Sequence, residues 1–375
     1  MRDRRRNSFD SLRLLFAILV IFSHSYPLTL GDNAREPLAR LAAKPLVPGD
    51  ELTFGAIAVW AFFVLSGFLI TKSWLRSSTP WSYLRKRFRR IYPGFLVAVV
   101  FCVLVQVGFA DPGTPRFPGV WNLVWNSVRL EIFDTPSLFG SNPLPNIING
   151  SLWSIPYEFW CYVGVLILGL AGLLKTRRWV VMLLVGIIAV HIWISYRRWL
   201  PVGSHLVGDT FGYPLNWMRV MPFFLAGMFF ATAEDRVRLR PSYAVTCAVL
   251  LGLATPFPYL PHIVYPVFGS YLLLYLAFSP TLLPLNLGRW GDFSYGTYLY
   301  AFPIQQLLVH RFQGLLTPVE LFLLATPLAV GAGTLSWFVV ERRFLSRESE
   351  RKHEQRVDVS AEPVLAPISV QRELL

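Results

Sequence analysis

Long apolar runs alternate with short polar segments over most of this chain of 375 residues. Each run has about the 20 apolar residues that an α-helix needs to cross the ~30 Å hydrocarbon core of a bilayer. The pattern therefore predicts an all-α, polytopic membrane protein with about ten transmembrane helices. The predicted spans are residues 11–30, 55–75, 93–110, 156–174, 178–195, 217–233, 243–260, 262–280, 293–311 and 318–340. We expect residues 1–345 to form one transmembrane domain and residues 346–375 to be a disordered cytoplasmic tail.

The first apolar run, residues 11–30, carries two ionisable residues, Arg13 and His24. Eleven helical positions at about 100° each come to three turns and about 20°, so both residues lie on one face, about 16 Å apart along the axis. An ionisable side chain inside a bilayer costs roughly 2.5 kcal/mol or more and by default marks a functional site. The alternatives are that Arg13 extends to the inner interface and that His24 is a hydrogen-bonded polar residue between helices.

Composition supports the membrane assignment and indicates the orientation. The mean hydropathy is +0.46 and 15% of the residues are charged. The net charge of +13 comes from Lys and Arg in short segments between apolar runs, which fits the positive-inside rule better than a nucleic-acid groove. With both termini in the cytoplasm, the inner segments hold 24 of the 35 basic residues. The three cysteines are isolated within apolar runs and have no metal-ligand spacing, so no metal site is predicted.

A strongly basic segment, residues 76–92, precedes the third predicted span on the cytoplasmic side. Such a cluster anchors a protein to anionic lipids at about 1 kcal/mol per basic residue, or it binds a phosphate-rich cytosolic ligand. Charge alone favours neither interpretation. The basic residues are Arg76, Arg85, Lys86, Arg87, Arg89 and Arg90.

Glu158 is a candidate catalytic carboxylate at the start of the fourth predicted span. Pro156 suits the first turn of a helix, where the helix dipole also stabilises a carboxylate. In the predicted orientation Glu158 lies at the outer end of its helix, at about the depth of His24. A histidine beside a carboxylate is a good general base for a hydroxyl group, which suggests transfer from a cytosolic donor to an acceptor at the outer face. Proton-coupled transport would use the same residue types.

Seven sequence blocks, in order, resemble the integral-membrane acyltransferase-3 family, which includes bacterial O-antigen, exopolysaccharide and Nod-factor O-acetyltransferases. The first block contains Arg13 and His24 with ten residues between them. A departure is Ala301, where many relatives have His, so no catalytic role is assigned there. The blocks are N-S-F-D-S-L-R-L-L-F-A-I-L-V-I-F-S-H (7–24), F-F-V-L-S-G-F-L-I-T (62–71), R-K-R-F-R-R-I-Y-P (85–93), N-G-S-L-W-S-I-P-Y-E (149–158), R-V-M-P-F-F-L-A-G-M (219–228), G-D-F-S-Y-G-T-Y-L-Y-A-F-P (291–303) and V-E-R-R-F-L (340–345).

The resemblance implies a ten-helix core in the bacterial inner membrane. Acyl-CoA, with acetyl-CoA as the first candidate, would be the donor substrate, and no cofactor would be bound permanently. A hydroxyl of an envelope or secreted glycan, or of its lipid-linked precursor, would be the acceptor, with glycan-assembly proteins as candidate partners. By the same resemblance His24 is the catalytic residue, Arg13 its functional companion and Glu158 a required carboxylate.

Charge and sidedness assign Arg85, Lys86, Arg87 and Arg89 to the CoA phosphates. We expect four residues of the matching blocks to contact substrate: Ser66, Asn149, Trp153 and Tyr157. Ser66 stands in a small Ser66–Gly67 pair that permits close approach by a helix or by a ligand. Asp292 is expected to cap the ninth span.

The hypothesis is thus an O-acyltransferase in which His24, assisted by Glu158, deprotonates a sugar hydroxyl or carries the acyl group itself. A transporter or flippase for a glycan precursor is the alternative, although the first five spans show no convincing repeat in the second five. A purely structural role as a membrane scaffold would not explain the ionisable residues Arg13, His24 and Glu158 in predicted spans.

Overall fold

The computed structural model describes residues 8–43, 51–133, 135, 138–197, 208, 210–258, 260–279 and 290–345. The predicted disordered tail, residues 346–375, lies outside the described residues. Within those ranges the regular structure is helical, as predicted. We number twelve helices: α1 Phe9–Leu30, α2 Pro37–Leu41, α3 Phe54–Leu75, α4 Pro80–Phe109, α5 Val120–Arg129, α6 Ser154–Leu170, α7 Arg177–Arg197, α8 Pro214–Thr232, α9 Pro241–Ala254, α10 Leu260–Ala277, α11 Ser294–Arg311 and α12 Pro318–Leu345.

Six of these helices are long and apolar enough to cross a membrane, namely α1, α3, α4, α7, α10 and α12. The apolar helices α6 and α9 are shorter, and α8 and α11 complete the set that matches the ten predicted spans. The chain is therefore a multi-pass membrane protein. The count of ten spans and the cytoplasmic position of both termini stay predictions.

Helices α1 and α3 pack side by side and run in opposite directions. Because residue numbers rise along α1 in the direction in which they fall along α3, each contact between the two helices shows which residues lie at the same depth in the bundle. Aromatic rings in contact at centroid distances of 5.8–6.1 Å are Phe9 with Phe68, Phe16 with Phe62, and Phe22 with Phe54.

Helices α3 and α8 meet through two glycines. A Cβ atom on Gly67 would lie 2.1 Å from the Phe224 carbonyl oxygen, and one on Gly227 would lie 2.2 Å from the Val64 carbonyl oxygen. Small residues let the backbones of membrane helices approach closely, and these two contacts leave no room for any side chain. The small pair in α3 therefore divides its functions, since Gly67 serves helix packing while Ser66 faces the site described below.

Helix α4 is longer than predicted. It begins at Pro80 and continues through Pro93 to Phe109, so residues 80–92 of the basic segment form the first turns of this helix instead of a loop before it, while Arg76 caps the end of α3. Because a helix repeats every 3.6 residues, these basic residues point in different directions.

The chain between α5 and α6 folds into the bundle from one end. The Asn142 amide donates to the Gln306 side-chain oxygen at 2.8 Å, and the Asn149 amide donates to the Leu299 carbonyl oxygen at 2.8 Å. Both acceptors belong to α11, and both asparagines are buried. Buried loops require such partners for their polar groups. As a consequence α6 starts at Ser154 inside the bundle and not at its outer edge.

Candidate functional site

A cavity of about 780 Å³ lies between α1, α3, α4, α6 and α11. Its wall is strongly basic at one end, where the ends of α3 and α4 meet, and becomes aromatic and hydroxylic toward Ser154 and Tyr298. The basic residues that line it are Arg13, Lys72, Arg76, Lys86, Arg87 and Arg90.

Carboxylates neutralise three of these cations. Asp292, just before α11, accepts from Arg13 at 3.2 Å and from Arg90 through the same oxygen. Arg90 also lies 3.8 Å from a carboxylate oxygen of Glu341, and Lys72 is paired with Glu234. Burial alone would raise the pKa of Asp292, but Arg90 and Arg13 lower it to about 2. Asp292 also accepts from the Ser294 backbone amide at 3.3 Å, but the N-cap position of α11 is Phe293, so the predicted capping role of Asp292 is wrong by one residue.

Arg87 and Arg76 have no carboxylate partner among the described residues. Arg87 donates to the Ser73 hydroxyl at 3.3 Å, and its guanidinium carbon lies 6.0 Å from the Tyr83 ring centroid and 5.8 Å from that of Tyr162. The Nε atom of Arg87 is buried without a hydrogen-bond partner. A cation held over aromatic rings and open to a cavity is suited to bind an anion.

The basic segment is divided between two faces of α4. Lys86, Arg87 and Arg90 line the cavity, whereas Arg85 and Arg89 are not among its lining residues. The spacing explains the division, since positions 86 and 90 share one face of a helix and positions 85 and 89 share another. Of the four predicted phosphate ligands, two therefore reach the cavity, and Arg90 joins them.

Glu158 lines the cavity but lies away from His24. Its Oε1 accepts from the Ser66 hydroxyl at 2.9 Å and from the Tyr162 hydroxyl. Ser66 lies in the part of α3 that faces Arg13 on the antiparallel α1, and His24 is about 16 Å further along α1. The prediction that His24 and Glu158 share one depth is wrong, because α6 begins within the bundle and carries Glu158 toward the level of Arg13.

His24 has a serine as its polar neighbour. Its Nδ1 is 3.4 Å from the Ser151 hydroxyl oxygen, and its ring meets the Phe302 ring edge-on at a centroid distance of 5.1 Å. Ser151 belongs to the segment that folds into the bundle ahead of α6. Phe302 is on α11, and Asp292, the partner of Arg13, directly precedes that helix. Arg13 and His24 therefore both face α11, as the spacing along α1 predicts.

Tyr298 stands between the cavity and His24. It lines the cavity together with Ser154, and its hydroxyl donates to the Ser151 carbonyl oxygen. The Ser154 hydroxyl oxygen lies 2.8 Å from the Tyr298 hydroxyl oxygen. Ser154 and Tyr298 thus connect the end of the cavity away from the basic residues to Ser151, the neighbour of His24.

The other predicted substrate contacts have different surroundings. Asn149 is turned toward α11, as described above. The Tyr157 hydroxyl accepts from the Tyr213 backbone amide at 2.8 Å and the Asn216 amide at 3.1 Å, which fastens α6 to the start of α8. Trp153 packs on Tyr157 and is 37% exposed. None of these three lines the cavity.

Sequence reasoning missed four residues of the site: Arg90, Ser151, Asp292 as an ion-pair partner, and Tyr298. Each stands inside one of the seven blocks, but ion pairs and hydrogen bonds between distant segments leave no periodic signal in the sequence. Among the described residues no group of three or more His, Cys, Asp or Glu side chains is arranged to hold a metal ion.

Comparison with known proteins agrees with this architecture. A family model described as an acyltransferase domain matches residues 6–341. The chain belongs to that family of membrane acyltransferases, the acyltransferase-3 family, and is an O-acetyltransferase-like enzyme.

Two relatives cover nearly the whole chain. An "O-acetyl transferase" of Shigella phage Sf6 is 31% identical over 92% of this chain and 98% of its own length. "Nodulation protein 10" of Rhizobium leguminosarum bv. viciae is 28% identical over 90% of this chain and 92% of its own length. "Acyltransferase MdmB" of Streptomyces mycarofaciens is 32% identical over 30% of this chain. No solved structure shows a significant match.

Proposed function

We propose that this protein moves an acetyl or other short acyl group from cytosolic acyl-CoA to a hydroxyl of a cell-envelope or secreted glycan, or of its lipid-linked precursor. It would act in the bacterial inner membrane, with ten spans and both termini in the cytoplasm. The observation that carries the proposal is the basic cavity whose lining residue Tyr298 bonds to Ser151, the neighbour of His24. The name of the phage relative supports acetyl as the group and an oxygen as its acceptor.

The donor would enter the cavity at its basic end. CoA carries a diphosphate and a 3′-phosphate, and at that end Arg76 and Arg87 supply cations that have no carboxylate partner within the described part of the chain. Lys86 adds a third cation on the same wall. Arg13 and Arg90 are both paired with Asp292, so in this proposal they hold α1, α4 and α11 together beside the donor. Glu158, fixed by Ser66, shapes the wall of the same cavity.

His24 would act at the acceptor end, nearer the outer face in the predicted orientation. Its imidazole takes the proton of the sugar hydroxyl while the hydroxyl oxygen attacks the thioester carbonyl carbon. The carbon–sulfur bond breaks, the sulfur leaves as the CoA thiolate, and the imidazolium returns the proton to it. Donor and acceptor then approach from opposite sides of the membrane, which fits a cavity and a histidine at different depths.

The proposal is tested by measuring alkali-labile acetate on envelope glycan from cells that express the protein. The wild type should add ester, and His24→Ala should not, with equal amounts of protein in the membrane. His310→Gln is a matched control, because this second histidine packs between Phe109 and Phe139, away from the cavity. Ester formation by His24→Ala at the wild-type level would refute the assignment of His24. Labelled precursor that crosses the membrane without gaining ester would support the transporter alternative.

A further inference from the structure

We propose that Ser151 is the positioning residue for His24 and that Tyr298 holds Ser151 in place from the cavity side. This inference rests on the proposed function, because it assigns the partner of the proposed catalytic base. It replaces the carboxylate expected from the sequence with a hydroxyl. The observations that carry it are the Ser151–His24 contact and the two bonds that fix the Ser151 backbone.

Both backbone groups of Ser151 are held. Its amide donates to the Asn149 side-chain oxygen at 3.3 Å, and its carbonyl oxygen accepts from the Tyr298 hydroxyl. Ser151 itself is 1% exposed. With its backbone held and its side chain buried, Ser151 has its hydroxyl oxygen 3.4 Å from the Nδ1 atom of His24.

The protons of the Tyr298 and Ser154 hydroxyls give the direction of their two hydrogen bonds. Tyr298 has one hydroxyl proton and gives it to the Ser151 carbonyl oxygen, so the contact with Ser154 must have the Ser154 hydroxyl as donor. Ser154 and Tyr298 both line the cavity. The inner end of the donor cavity is therefore fastened to the backbone that carries the histidine's partner.

The Ser151 hydroxyl can accept from or donate to Nδ1 of His24, and the proposal uses the tautomer in which it accepts. When Nδ1–H donates to the Ser151 oxygen, Nε2 is left without a proton and can accept one from a substrate hydroxyl. The edge-on Phe302 ring, at an interplanar angle of 78°, limits rotation of the imidazole. The neighbouring charged group at this end of α1 is Glu36, whose carboxylate bonds to Ser23 and to the Phe54 amide at the start of α3.

The test compares Ser151→Ala, Ser151→Thr and Tyr298→Phe in the membrane protein, with acetyl-CoA and acceptor glycan as substrates. Ser151→Ala should lower kcat about tenfold or more, leave KM for acetyl-CoA unchanged and shift the acid limb of the pH–rate profile. Ser151→Thr, which retains the hydroxyl, should restore most of kcat and the wild-type profile. Tyr298→Phe should lower kcat by a smaller factor with the same profile shift.

Matched controls separate positioning from general disturbance of the fold. Ser195→Ala removes a buried serine hydroxyl on α7 that has no hydrogen-bond partner among the residues that the structure describes. Tyr271→Phe removes a hydroxyl bonded to backbone groups of Arg238 and Arg240. Neither should change kcat or the pH profile.

Two results would overturn the inference. One is wild-type kcat and pH profile in Ser151→Ala; the other is a loss of kcat in Ser151→Ala accompanied by an equal loss of donor affinity and no recovery in Ser151→Thr. In either case wild-type transfer that His24→Ala abolishes would leave the proposed function standing. Transfer that survives in His24→Ala would instead contradict the proposed function.

Discussion

Neutralising Asp292 should destabilise the protein more than any comparable change at its surface. Asp292 accepts from Arg13 and Arg90, and its side chain is 11% exposed. In Asp292→Asn the guanidinium groups of Arg13 and Arg90, 22% and 20% exposed, would keep more distant carboxylate neighbours, Asp10 and Glu341, each at 3.8 Å. We therefore expect a loss of unfolding free energy without loss of the helix start, because asparagine can still accept from Ser294.

Two ways of obtaining the magnitude differ by about 1 kcal/mol. Breaking a buried ion pair by removing one partner costs about 3–5 kcal/mol, and the partial exposure of both arginines favours the lower end. The pKa of Asp292, about 2 against the usual 3.8, independently corresponds to about 2 kcal/mol at ~1.36 kcal/mol per pH unit. Since the folded pKa is the lower one, this stabilisation is complete above about pH 4 and is lost as the pH falls toward 2. A measurement at pH 7 therefore records all of it.

The three free cysteines provide the assay. Cys102, Cys161 and Cys247 are all buried, so a fluorogenic thiol reagent reacts with them only as the protein unfolds. Asp235→Asn is the matched control, because Asp235 is 75% exposed and pairs only with Arg236 on the surface. Such a pair contributes about 0–1 kcal/mol. Equal unfolding midpoints for Asp292→Asn and Asp235→Asn would refute the ion-pair argument.

Two further predictions concern the donor site and the helix packing. Arg87→Gln should weaken CoA binding about tenfold or more in equilibrium dialysis, because it removes a charged hydrogen bond. Arg85→Gln, on the other face of α4, should leave the affinity unchanged. Equal effects of the two substitutions would favour the interpretation that the basic segment binds anionic lipids. Gly67→Val should lower the unfolding free energy by about 3 kcal/mol or more, because its Cβ would overlap the Phe224 carbonyl oxygen. Gly186→Val should have a smaller effect, because a Cβ at that position meets no described atom within 4 Å. Equal thermal midpoints for the two variants would contradict the α3–α8 contact.

The hydrophobic pattern predicts the helices well because each apolar run must satisfy its backbone internally once it leaves water. It also predicts that Arg13 and His24 share a face, since helix geometry alone sets that relation. Every predicted span coincides with a helix of the structure, although the ends move by several residues.

The site is harder to predict because its contacts join distant parts of the chain. Asp292 meets Arg13 across 279 residues, and Ser151 meets His24 across 127 residues. The predicted depth of Glu158 is wrong for a specific reason. The segment before α6 has the polar composition of a surface loop, yet its buried residues Asn142 and Asn149 are hydrogen-bonded to α11. A hydropathy pattern assigns such a polar segment to the surface, whereas here the polar residues form the hydrogen bonds that hold the segment within the bundle.

Radiolabelled acetyl-CoA supplied to membranes tests the central claim most directly. Label should appear on the envelope glycan with wild type and with His310→Gln, and not with His24→Ala. Label on the wild-type protein before the glycan is added, and none on His24→Ala, would show that His24 carries the acyl group instead of acting only as a base. Equal label on glycan with wild type and His24→Ala, or none with wild type and purified acceptor, would contradict the account.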